Sequence, residues 1–400
     1  MSLSAIIPVS MAFAAASATA AIVLPAVRRI AKAYRDNAED ETAGPQCAAA
    51  FPSLTVVAYD YARISDIEGY LQSLAAQDYP NFSVVFVSNA SAAEARELEE
   101  AYVTRFPDFH FTFIPPGSHN LSRRKLALTV GIKAAKGEYV LTTLSNCRIP
   151  SERWLSLMME PITSGSGKDI CLGISRPDFA QLRGAGKWYR QFDFTVRTAQ
   201  WLAAATDGRT VRGDGFNLLF RRDLFFDAKG YSQTIYYNPG DDDLFLTQIA
   251  DSYSGNTAVQ LNPDAVLVQD WEGQADKFAK EQKERYDFTR PLLPKQPFLK
   301  AAAVSWMQWT VLFSSAAAIA TAVISTGISL PALCLLLAAL IVSLLFWGME
   351  IALYRRISRM LCSKRLWWAV MPFLLWRPIG NLAFRLRHRS RRDRHFTWRN

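Results

Sequence analysis

Apolar residues are concentrated at the two ends of the chain, in runs long enough to cross a membrane. Residues 1–27 contain no charged side chain, and residues 6–27 are long enough to cross a hydrocarbon core of about 30 Å. Residues 301–349 are also uncharged, and Gly327, Ser329 and Pro331 divide them into two spans of about 22 residues. The pattern therefore predicts three membrane spans, the last two forming a helical hairpin.

Between these ends, short apolar runs alternate with amphipathic stretches. The runs predict β-strands at residues 54–58, 83–87, 109–114 and 139–143, and the stretches predict helices at 64–76, 92–106 and 123–135. Strands separated by such helices indicate a mostly parallel sheet with right-handed crossovers. The predicted fold class is α/β: a mostly parallel, Rossmann-like sheet, plus α-helical transmembrane segments. Ligands of such sheets bind beyond the carboxyl ends of the strands.

After residue 154 the alternation is weaker. It predicts helices at 187–205 and 278–288, a glycine-containing strand at 211–220 and extended chain at 258–268. The chain then divides into an N-terminal anchor with its basic flank at 1–35, a linker at 36–50, an α/β domain at 51–290, a transmembrane hairpin at 291–354 and a tail at 355–400. Residues 366–375 of the tail are too short to span a bilayer and are expected to lie in its interface.

The net charge of +9 is distributed unevenly. The tail contains twelve Arg, one Lys and one Asp, which leaves about −3 for the rest of the chain. A basic tail beside apolar segments indicates contact with anionic membrane lipids, whereas nucleic acid is not expected because the basic residues have apolar neighbours. Basic residues follow the first span (from Arg28) and the third (from Arg355), so the α/β domain is predicted to face the cytoplasm. The alanine-rich residues 14–21 leave open a cleaved signal peptide.

The five cysteines and four histidines do not indicate a metal centre. The cysteines form no CxxC pair and the histidines do not fall at ligand spacing, so free thiols in a reducing compartment are expected instead of structural zinc. The spans carry no ionisable residue before Glu350, which argues against a transporter.

Three consecutive carboxylates, Asp241, Asp242 and Asp243, follow a turn that ends at Gly240 and precede an apolar run. Adjacent like charges repel, so a fold keeps them together only where something offsets the cost. Acidic residues in the first turn of a helix satisfy free amides and suit the helix dipole. A carboxylate that faces a pocket can instead act as a general base. The triplet alone allows both interpretations.

Four stretches, in the right order, resemble membrane-anchored family-2 glycosyltransferases, the processive or lipid-linked enzymes with a GT-A fold. They are Leu71–Pro80 (a first helix and its exit), Ser122–Gly137 (the donor-side helix), Gly213–Arg222 (the acceptor-side strand) and Gly240–Phe245 (the acidic catalytic motif). The resemblance covers residues 51–290. It implies an inverting transfer of a sugar from a nucleotide-sugar donor, first of all a UDP-sugar, to a lipid-linked or polysaccharide acceptor, as in the synthesis of cell-envelope polysaccharides.

The donor side departs from the family pattern. The family's base-binding aspartate corresponds to Asn89, and its metal-binding Asp-x-Asp corresponds to Leu144-Ser145-Asn146. A polar-acidic pair usual after the first strand looks replaced by Ala62-Arg63. The resemblance thus implies Mg²⁺ or Mn²⁺ as cofactor but leaves Asn146 as its one candidate ligand, although such cations prefer carboxylates.

Cations near these strand ends offer another way to meet the charge of a donor diphosphate. Five basic residues are available, namely Arg63, Arg123, Arg124, Lys125 and Arg148. The alternative is that they are solvated residues on helix faces. The residues expected to bind the donor are Asn89, Arg124, Lys125, Ser145 and Asn146.

The acceptor side follows the family more closely. By resemblance Asp241 and Asp242 are catalytic, with Asp241 as the base that removes the acceptor's proton, and Asp243 caps the helix. The family's Gln-x-x-Arg-Trp motif corresponds to Gln282, Arg285 and Tyr286, although the same stretch also fits a charged surface helix. The residues expected to bind the acceptor are Gly213, Asp214, Asp243, Gln282, Arg285 and Tyr286. The alternative function is a catalytically inactive glycosyltransferase-like scaffold that binds a partner enzyme or a lipid.

Overall fold

A computed structural model describes residues 3–39, 51–60, 67–89, 92–106, 108–114, 122–164, 167–184, 186–252, 256–271, 273–324 and 330–396. The helices are α1 Leu3–Glu39, α2 Ile67–Ala75, α3 Ala92–Tyr102, α4 Arg123–Ala134, α5 Trp154–Thr163, α6 Lys187–Ala205, α7 Arg222–Asp227, α8 Asp243–Ser252, α9 Ala275–Thr289, α10 Gln296–Ile324, α11 Leu330–Met360 and α12 Val370–Phe396. The strands are β1 Leu54–Tyr59, β2 Phe82–Ser88, β3 Phe109–Phe113, β4 Tyr139–Leu144, β5 Cys147–Arg148, β6 Ile170–Leu172, β7 Ser175–Pro177, β8 Leu218–Arg221, β9 Thr257–Val259 and β10 Leu267–Gln269.

The central sheet has seven strands in the order β3-β2-β1-β4-β8-β6-β9. The first four are mutually parallel, and β8 runs antiparallel to both of its neighbours. Every residue of β1 and β4 is buried, as expected for parallel strands that are covered on both faces. The sheet confirms the predicted α/β class with its mostly parallel order, and β1 to β4 of the central sheet lie within two residues of the predicted strands.

Helix α4 lies unusually close to the centre of this sheet. A Cβ on Gly131 would approach Val57 Cγ1 of β1 to 2.4 Å, so only glycine permits the contact. The helix begins at Ser122, whose hydroxyl accepts a hydrogen bond from the Lys125 N–H. Arg124 and Lys125 therefore occupy the first turn of a helix that Ser122 caps and that packs on the sheet at Gly131.

A second, three-stranded sheet has the order β5-β10-β7. Its strand β10 pairs antiparallel with β5 and parallel with β7. Because β5 begins directly after the Leu144-Ser145-Asn146 stretch, this pairing brings residues 267–270 beside the end of β4.

Two predicted extended segments are wrong in extent. The predicted strand at 211–220 is reduced to Leu218–Arg221, because Asp214 turns the chain: its carboxylate accepts from the Phe216 N–H and its carbonyl from the Asn217 N–H. The predicted extended segment at 258–268 is divided by a 3₁₀ turn at Pro263–Ala265 that Asn262 caps.

The chain forms two compact units. The α/β unit comprises residues 31–187 and 201–294, and residues 388–400 are grouped with it. The helical unit comprises residues 1–30, 188–200 and 295–387. Among the described residues, three helices are long and apolar enough to cross a membrane, namely Ile6–Ala38, Gln296–Ile324 and Leu330–Met360. They correspond to the three spans predicted from the apolar runs.

Within the helical unit, polar pairs join neighbouring helices. Gln308 of α10 donates to Glu350 of α11 at 3.1 Å, and both side chains are buried. Asp193 of α6 accepts from Arg377 Nε of α12 at 2.8 Å. Phe192 stacks on Tyr354 of α11 with ring centroids 4.8 Å apart, which holds α6 against the hairpin.

Candidate active site

The acidic triplet is positioned by a tight turn at the start of α8. Gly240 has φ of +96°, and a Cβ there would lie 2.5 Å from Leu244 Cδ1. Both observations require glycine at this position. The turn directs the three carboxylates of residues 241–243 into the α/β unit, where each is at least nine-tenths buried.

Asp241 lies between two guanidinium groups from distant parts of the sequence. Its Oδ2 is 2.6 Å from Arg124 Nε of α4, and its Oδ1 is 3.8 Å from Arg285 Nη2 of α9. Burial raises the pKa of Asp241, but the positive charges of Arg124 and Arg285 outweigh it and hold the pKa below its usual value. Asp241 is therefore an ionised carboxylate at neutral pH.

Asp242 has the opposite electrostatic character. Burial, followed by the negative charges of Asp243 and Asp241, raises the pKa of Asp242 to about 7. Its Oδ1 accepts the Asp243 N–H at 2.7 Å. The two adjacent carboxylates are thus divided into one that stays charged and one that titrates near neutrality.

Asp243 connects α8 to α9 and to the segment before β8. Its carboxylate is 3.2 Å from Arg212 Nη2 and accepts a hydrogen bond from the Thr289 hydroxyl of α9. Its Oδ1 also accepts the Leu244 N–H at 2.8 Å, which satisfies one amide in the first turn of α8. These contacts indicate that Asp243 has a structural role, because it joins α8 to α9 and to the segment before β8.

These residues line one small cavity. Its lining residues are Arg124, Pro239, Gly240, Asp241, Asp242, Asp243, Gln282, Arg285, Tyr286 and Thr289. The structure thereby brings the acidic triplet together with the three residues of the Gln282-x-x-Arg285-Tyr286 motif. An ionised carboxylate beside two guanidinium groups can take a proton from a hydroxyl and can hold an anion such as a phosphate.

Gly215 makes room for this arrangement. A Cβ at residue 215 would lie 2.7 Å from Asp242 Cβ and 2.9 Å from Arg124 Nη2. The Arg124 guanidinium also lies over the Phe216 ring, with Cζ 4.3 Å from its centroid. The residues after Asp214 therefore form the surface on which Arg124 rests.

The other residues expected to bind the acceptor lie in packed positions. A Cβ on Gly213 would lie 2.7 Å from Leu246 Cδ2, so Gly213 lets α8 approach. Asp214 Oδ2 accepts from the Ser175 N–H at 2.6 Å and from the Ser175 hydroxyl at 2.5 Å. Tyr286 has its ring under the Arg212 guanidinium, with Cζ 4.2 Å from the ring centroid.

The residues expected to bind the donor are divided between two places. Arg124 lines the cavity, whereas Lys125 Nζ donates to the carbonyls of Thr234 and Tyr237, at 2.6 and 2.9 Å. Burial lowers the pKa of Lys125 to about 8. Lys125 thus fixes the loop that leads into the acidic triplet.

The remaining donor-side residues lie near the ends of β2 and β4. Asn89 is exposed and accepts from Arg123 Nε at 2.8 Å. Ser145 donates to Asp60 Oδ1 at 2.9 Å, and Asn146 Nδ2 donates to the Asp270 carbonyl at 2.9 Å. Asn89, Ser145 and Asn146 do not line the cavity around the triplet.

Asp60 is a buried carboxylate that the sequence reasoning missed. It directly follows β1, which is one residue longer than predicted, and it is 4% exposed. The signal was an acidic residue at the carboxyl end of a buried strand, where ligands of parallel sheets bind. The pair Ala62-Arg63, to which the resemblance pointed instead, lies outside the described residues.

The side chains at the Asp-x-Asp position do not fit a divalent metal. Leu144 is apolar and buried, the Ser145 hydroxyl is used by Asp60, and Asn146 offers one neutral oxygen, Oδ1, that makes no hydrogen bond to any described residue. Across the described parts of the chain, no group of three or more His, Cys, Asp or Glu side chains could hold a metal ion. Mg²⁺ and Mn²⁺ need charged oxygen ligands that this stretch does not supply.

Comparison with known proteins finds a family match within the α/β unit. Residues 53–225 match the model of the family described as Glycosyl transferase family 2. The match includes the central strands and ends before the acidic triplet. It confirms that the chain resembles family-2 glycosyltransferases, and with the mostly parallel sheet and three apolar helices it supports a GT-A-like membrane protein.

The solved structures that are similar to this chain include those of the following two proteins. The mannosyltransferase PcManGT from Pyrobaculum calidifontis, in complex with GDP-Man and Mn²⁺, is 21% identical, with 93% of this chain and 99% of that chain covered and a TM-score of 0.48. Residues 1–349 of S. aureus TarS are 15% identical, with 82% and 92% covered and a TM-score of 0.38. No curated protein sequence matches the chain.

Proposed function

We propose that this protein is an inverting glycosyltransferase that moves a sugar from a nucleotide-sugar donor to a lipid-linked or polysaccharide acceptor at the cytoplasmic face of a membrane. The family match over residues 53–225 supports glycosyl transfer as the class of reaction. The observation that carries the rest is the buried, ionised carboxylate of Asp241, which lines a cavity together with Arg124 and Arg285.

In the proposed reaction, a hydroxyl oxygen of the acceptor attacks the anomeric carbon of the donor sugar. The bond from that carbon to the diphosphate oxygen breaks, the diphosphate leaves with the electron pair, and the hydroxyl proton passes to Asp241. Attack opposite the leaving group inverts the anomeric configuration. Arg285 lies where it can stabilise charge that develops on the diphosphate, and the Tyr286 ring offers a face for a sugar.

Asp242 is the second candidate base, because its raised pKa lies near the pH at which a base works best. We favour Asp241 because its carboxylate faces both guanidinium groups, whereas an oxygen of Asp242 is used by the Asp243 N–H. In either case the triplet provides the base.

The distribution of basic residues supports the cytoplasmic face. Arg28, Arg29 and Lys32 follow the first apolar run, and Arg355 and Arg356 follow the third. Short basic flanks are retained on the cytoplasmic side of a membrane. A nucleotide-sugar is charged and does not cross a bilayer unaided, so an active site on this side has direct access to it.

The test is sugar transfer by membranes that contain the full chain. UDP-glucose, UDP-N-acetylglucosamine and GDP-mannose, each radiolabelled in the sugar, are offered in turn, and label is counted in the lipid-extractable and polymeric fractions. Asp241→Asn keeps the shape of the side chain but removes the base, so transfer is expected to fall by about 10² or more. Asp223→Asn, on an exposed residue of α7, is the matched control and is expected to keep full transfer.

Nucleotide binding distinguishes an active glycosyltransferase from the alternative, a catalytically inactive scaffold. The Leu144-Ser145-Asn146 stretch favours an inactive scaffold, which would bind no donor. Thermal shift with UDP, GDP and the three donors detects binding independently of turnover, because a ligand that binds only the folded state raises the Tm. A shift that persists in Asp241→Asn while transfer is lost supports the base. Retained transfer in Asp241→Asn removes Asp241 from that role, and no shift with any nucleotide removes the enzyme.

A further inference from the structure

The stretch at the Asp-x-Asp position of this protein carries none of the negative charge with which the family holds a metal against the donor diphosphate. At the end of β4 the side chains of residues 144–146 are one apolar group, one hydroxyl and one amide. The hydroxyl and the amide nitrogen already donate to Asp60 and to the Asp270 carbonyl. Within residues 144–146 a dication would find one neutral oxygen without a hydrogen bond, Asn146 Oδ1, in place of the two carboxylates of the family, while the neighbouring Asp60 carboxylate accepts from Ser145.

A buried cation, Arg124, lies in the first turn of α4 beside the acidic triplet. The Arg124 side chain is 4% exposed and lines the cavity. Its Nη2 makes no hydrogen bond to any described residue, whereas its Nε is paired with Asp241 Oδ2 at 2.6 Å. A buried guanidinium with unused donors is costly unless it receives an acceptor. The donors of Arg124 therefore indicate a ligand that can accept hydrogen bonds.

The charge around Arg124 favours an anion as that ligand. Asp241 faces two guanidinium groups, Arg124 and Arg285, while Asp242 and Asp214 also act on Arg124 but have pKa values that burial raises. Asp243 is matched separately by Arg212. A guanidinium presents its N–H groups in a planar fork that fits two phosphate oxygens, and it stays charged at any pH in the working range.

Resting on the proposed function, we propose that this protein binds the diphosphate of its donor without a divalent cation, and that Arg124, with Arg285, supplies the positive charge that the family takes from a metal. Phe216 and Gly215 hold the Arg124 guanidinium in place, by stacking and by the absence of a Cβ. A preorganised cation needs no reorganisation when negative charge develops on the leaving diphosphate.

This arrangement couples donor binding to the base. Before the donor binds, the positive charges of Arg124 and Arg285 depress the pKa of Asp241. A diphosphate that shares these two guanidinium groups offsets their charge, so the pKa of Asp241 rises and its carboxylate becomes a stronger base. The proton acceptor is therefore at its most effective only when a leaving group is in place.

Nucleotide binding with and without metal tests the proposal. UDP and GDP are titrated calorimetrically into the full chain in detergent, first in EDTA and then in Mg²⁺ or Mn²⁺. The expected result is binding of at least one of them in EDTA, with a Kd that changes by no more than about threefold when metal is added. Binding that appears only with metal overturns the proposal while leaving the proposed function intact. Binding of neither nucleotide under either condition removes the proposed function itself.

Substitution at Arg124 tests its part in the site. Arg124→Gln is expected to weaken nucleotide binding in EDTA by about tenfold or more, since a charge-assisted hydrogen bond is lost. Arg124→Lys keeps the charge but not the fork, so an intermediate Kd is expected. Arg105→Gln, which breaks an exposed ion pair with Glu68, is the control and should bind as the natural protein does.

Folding of each variant is checked by its Tm without nucleotide. If Arg124→Gln does not fold, Arg124→Lys and the wild-type metal titration carry the test. If Arg124→Gln folds and binds nucleotide with wild-type affinity, the role of Arg124 is overturned. If Arg124→Gln does not fold, the role is overturned when Arg124→Lys binds with wild-type affinity and the wild-type protein binds nucleotide only with metal.

Discussion

At the scale of single residues, Asp241 and Asp242 of the candidate site differ in the charge of the groups beside them. Asp241 and Asp242 are adjacent carboxylates with the same chemistry, yet one faces two guanidinium groups and the other faces two carboxylates. Their pKa values therefore move in opposite directions. Such a separation of pKa values is how one fold assigns different roles to like groups.

Asp242 should destabilise the protein above neutral pH. Its pKa is raised from an ordinary value near 4 to about 7 in the folded chain, so between these two values the folded state binds more protons than the unfolded state. Stability then decreases as the pH rises through this window and stays low above it. We expect Asp242→Asn to raise the Tm at pH 8 by about 5 °C and to change it little at pH 4.5, below the raised pKa.

Differential scanning calorimetry or a thermal-shift scan at both pH values measures this effect. Asp223→Asn is again the matched control, since it removes an exposed carboxylate from a neighbouring helix. Equal Tm changes for Asp242→Asn at pH 4.5 and pH 8 would show that Asp242 is ionised in the folded protein at both values.

At the scale of elements, the sequence was most informative where side chains are uniform. Strands β1, β2 and β4 were predicted because their Val, Leu and Ala runs are buried on both faces. The segment before β8 was wrongly predicted to be a strand. Its apolar residues alternate as in a strand, but Asp214 and Asn217 turn the backbone there. A one-residue error at the end of β1 was enough to hide Asp60.

The candidate site, too, could be predicted from the sequence only in part. The acidic triplet and the Gln282-x-x-Arg285-Tyr286 motif stand out in the sequence, and they lie around one cavity. The position of Arg124 beside Asp241 could not be predicted, because it depends on how α4 packs on the sheet and on the missing Cβ of Gly215. Contacts between elements far apart in sequence are set by such packing, and local patterns do not contain them.

An ion pair inside the helical unit should stabilise the contact between α6 and α12. Asp193 accepts from Arg377 Nε, and the two side chains are 8% and 13% exposed. Arg377→Gln leaves a mostly buried carboxylate without its main cation, so a loss of about 3 kcal/mol in the free energy of unfolding is expected. Asp193→Asn combined with Arg377→Gln should recover much of it, because no charge is then buried.

Thermal unfolding in detergent compares the single and double variants. Arg105→Gln is the control, because its exposed pair with Glu68 is expected to contribute less than about 1 kcal/mol. A double variant no more stable than Arg377→Gln alone would show that packing around Arg377, not its charge, stabilises this contact.

At the scale of the whole molecule, charge and hydropathy together define an orientation. Three helices can cross a membrane, and basic residues follow the first and the third. With three spans, the start of α11 lies on the side opposite to the residues after α1 and after α11. We therefore expect the α/β unit and the tail to be cytoplasmic and Leu330 to lie at the outer surface.

Cysteine labelling in cells tests this orientation. Cys47, Cys334 and Cys362 are replaced by serine, while Cys147 and Cys171 stay because both are buried. Leu330→Cys and Lys136→Cys each add one thiol at an exposed position, the first at the start of α11 and the second after α4. A membrane-impermeant maleimide should label Leu330→Cys in intact cells. It should label Lys136→Cys only after the cells are permeabilised. Labelling of Lys136→Cys in intact cells would place the α/β unit outside, away from cytoplasmic nucleotide-sugars, and would reverse the proposed face of the reaction.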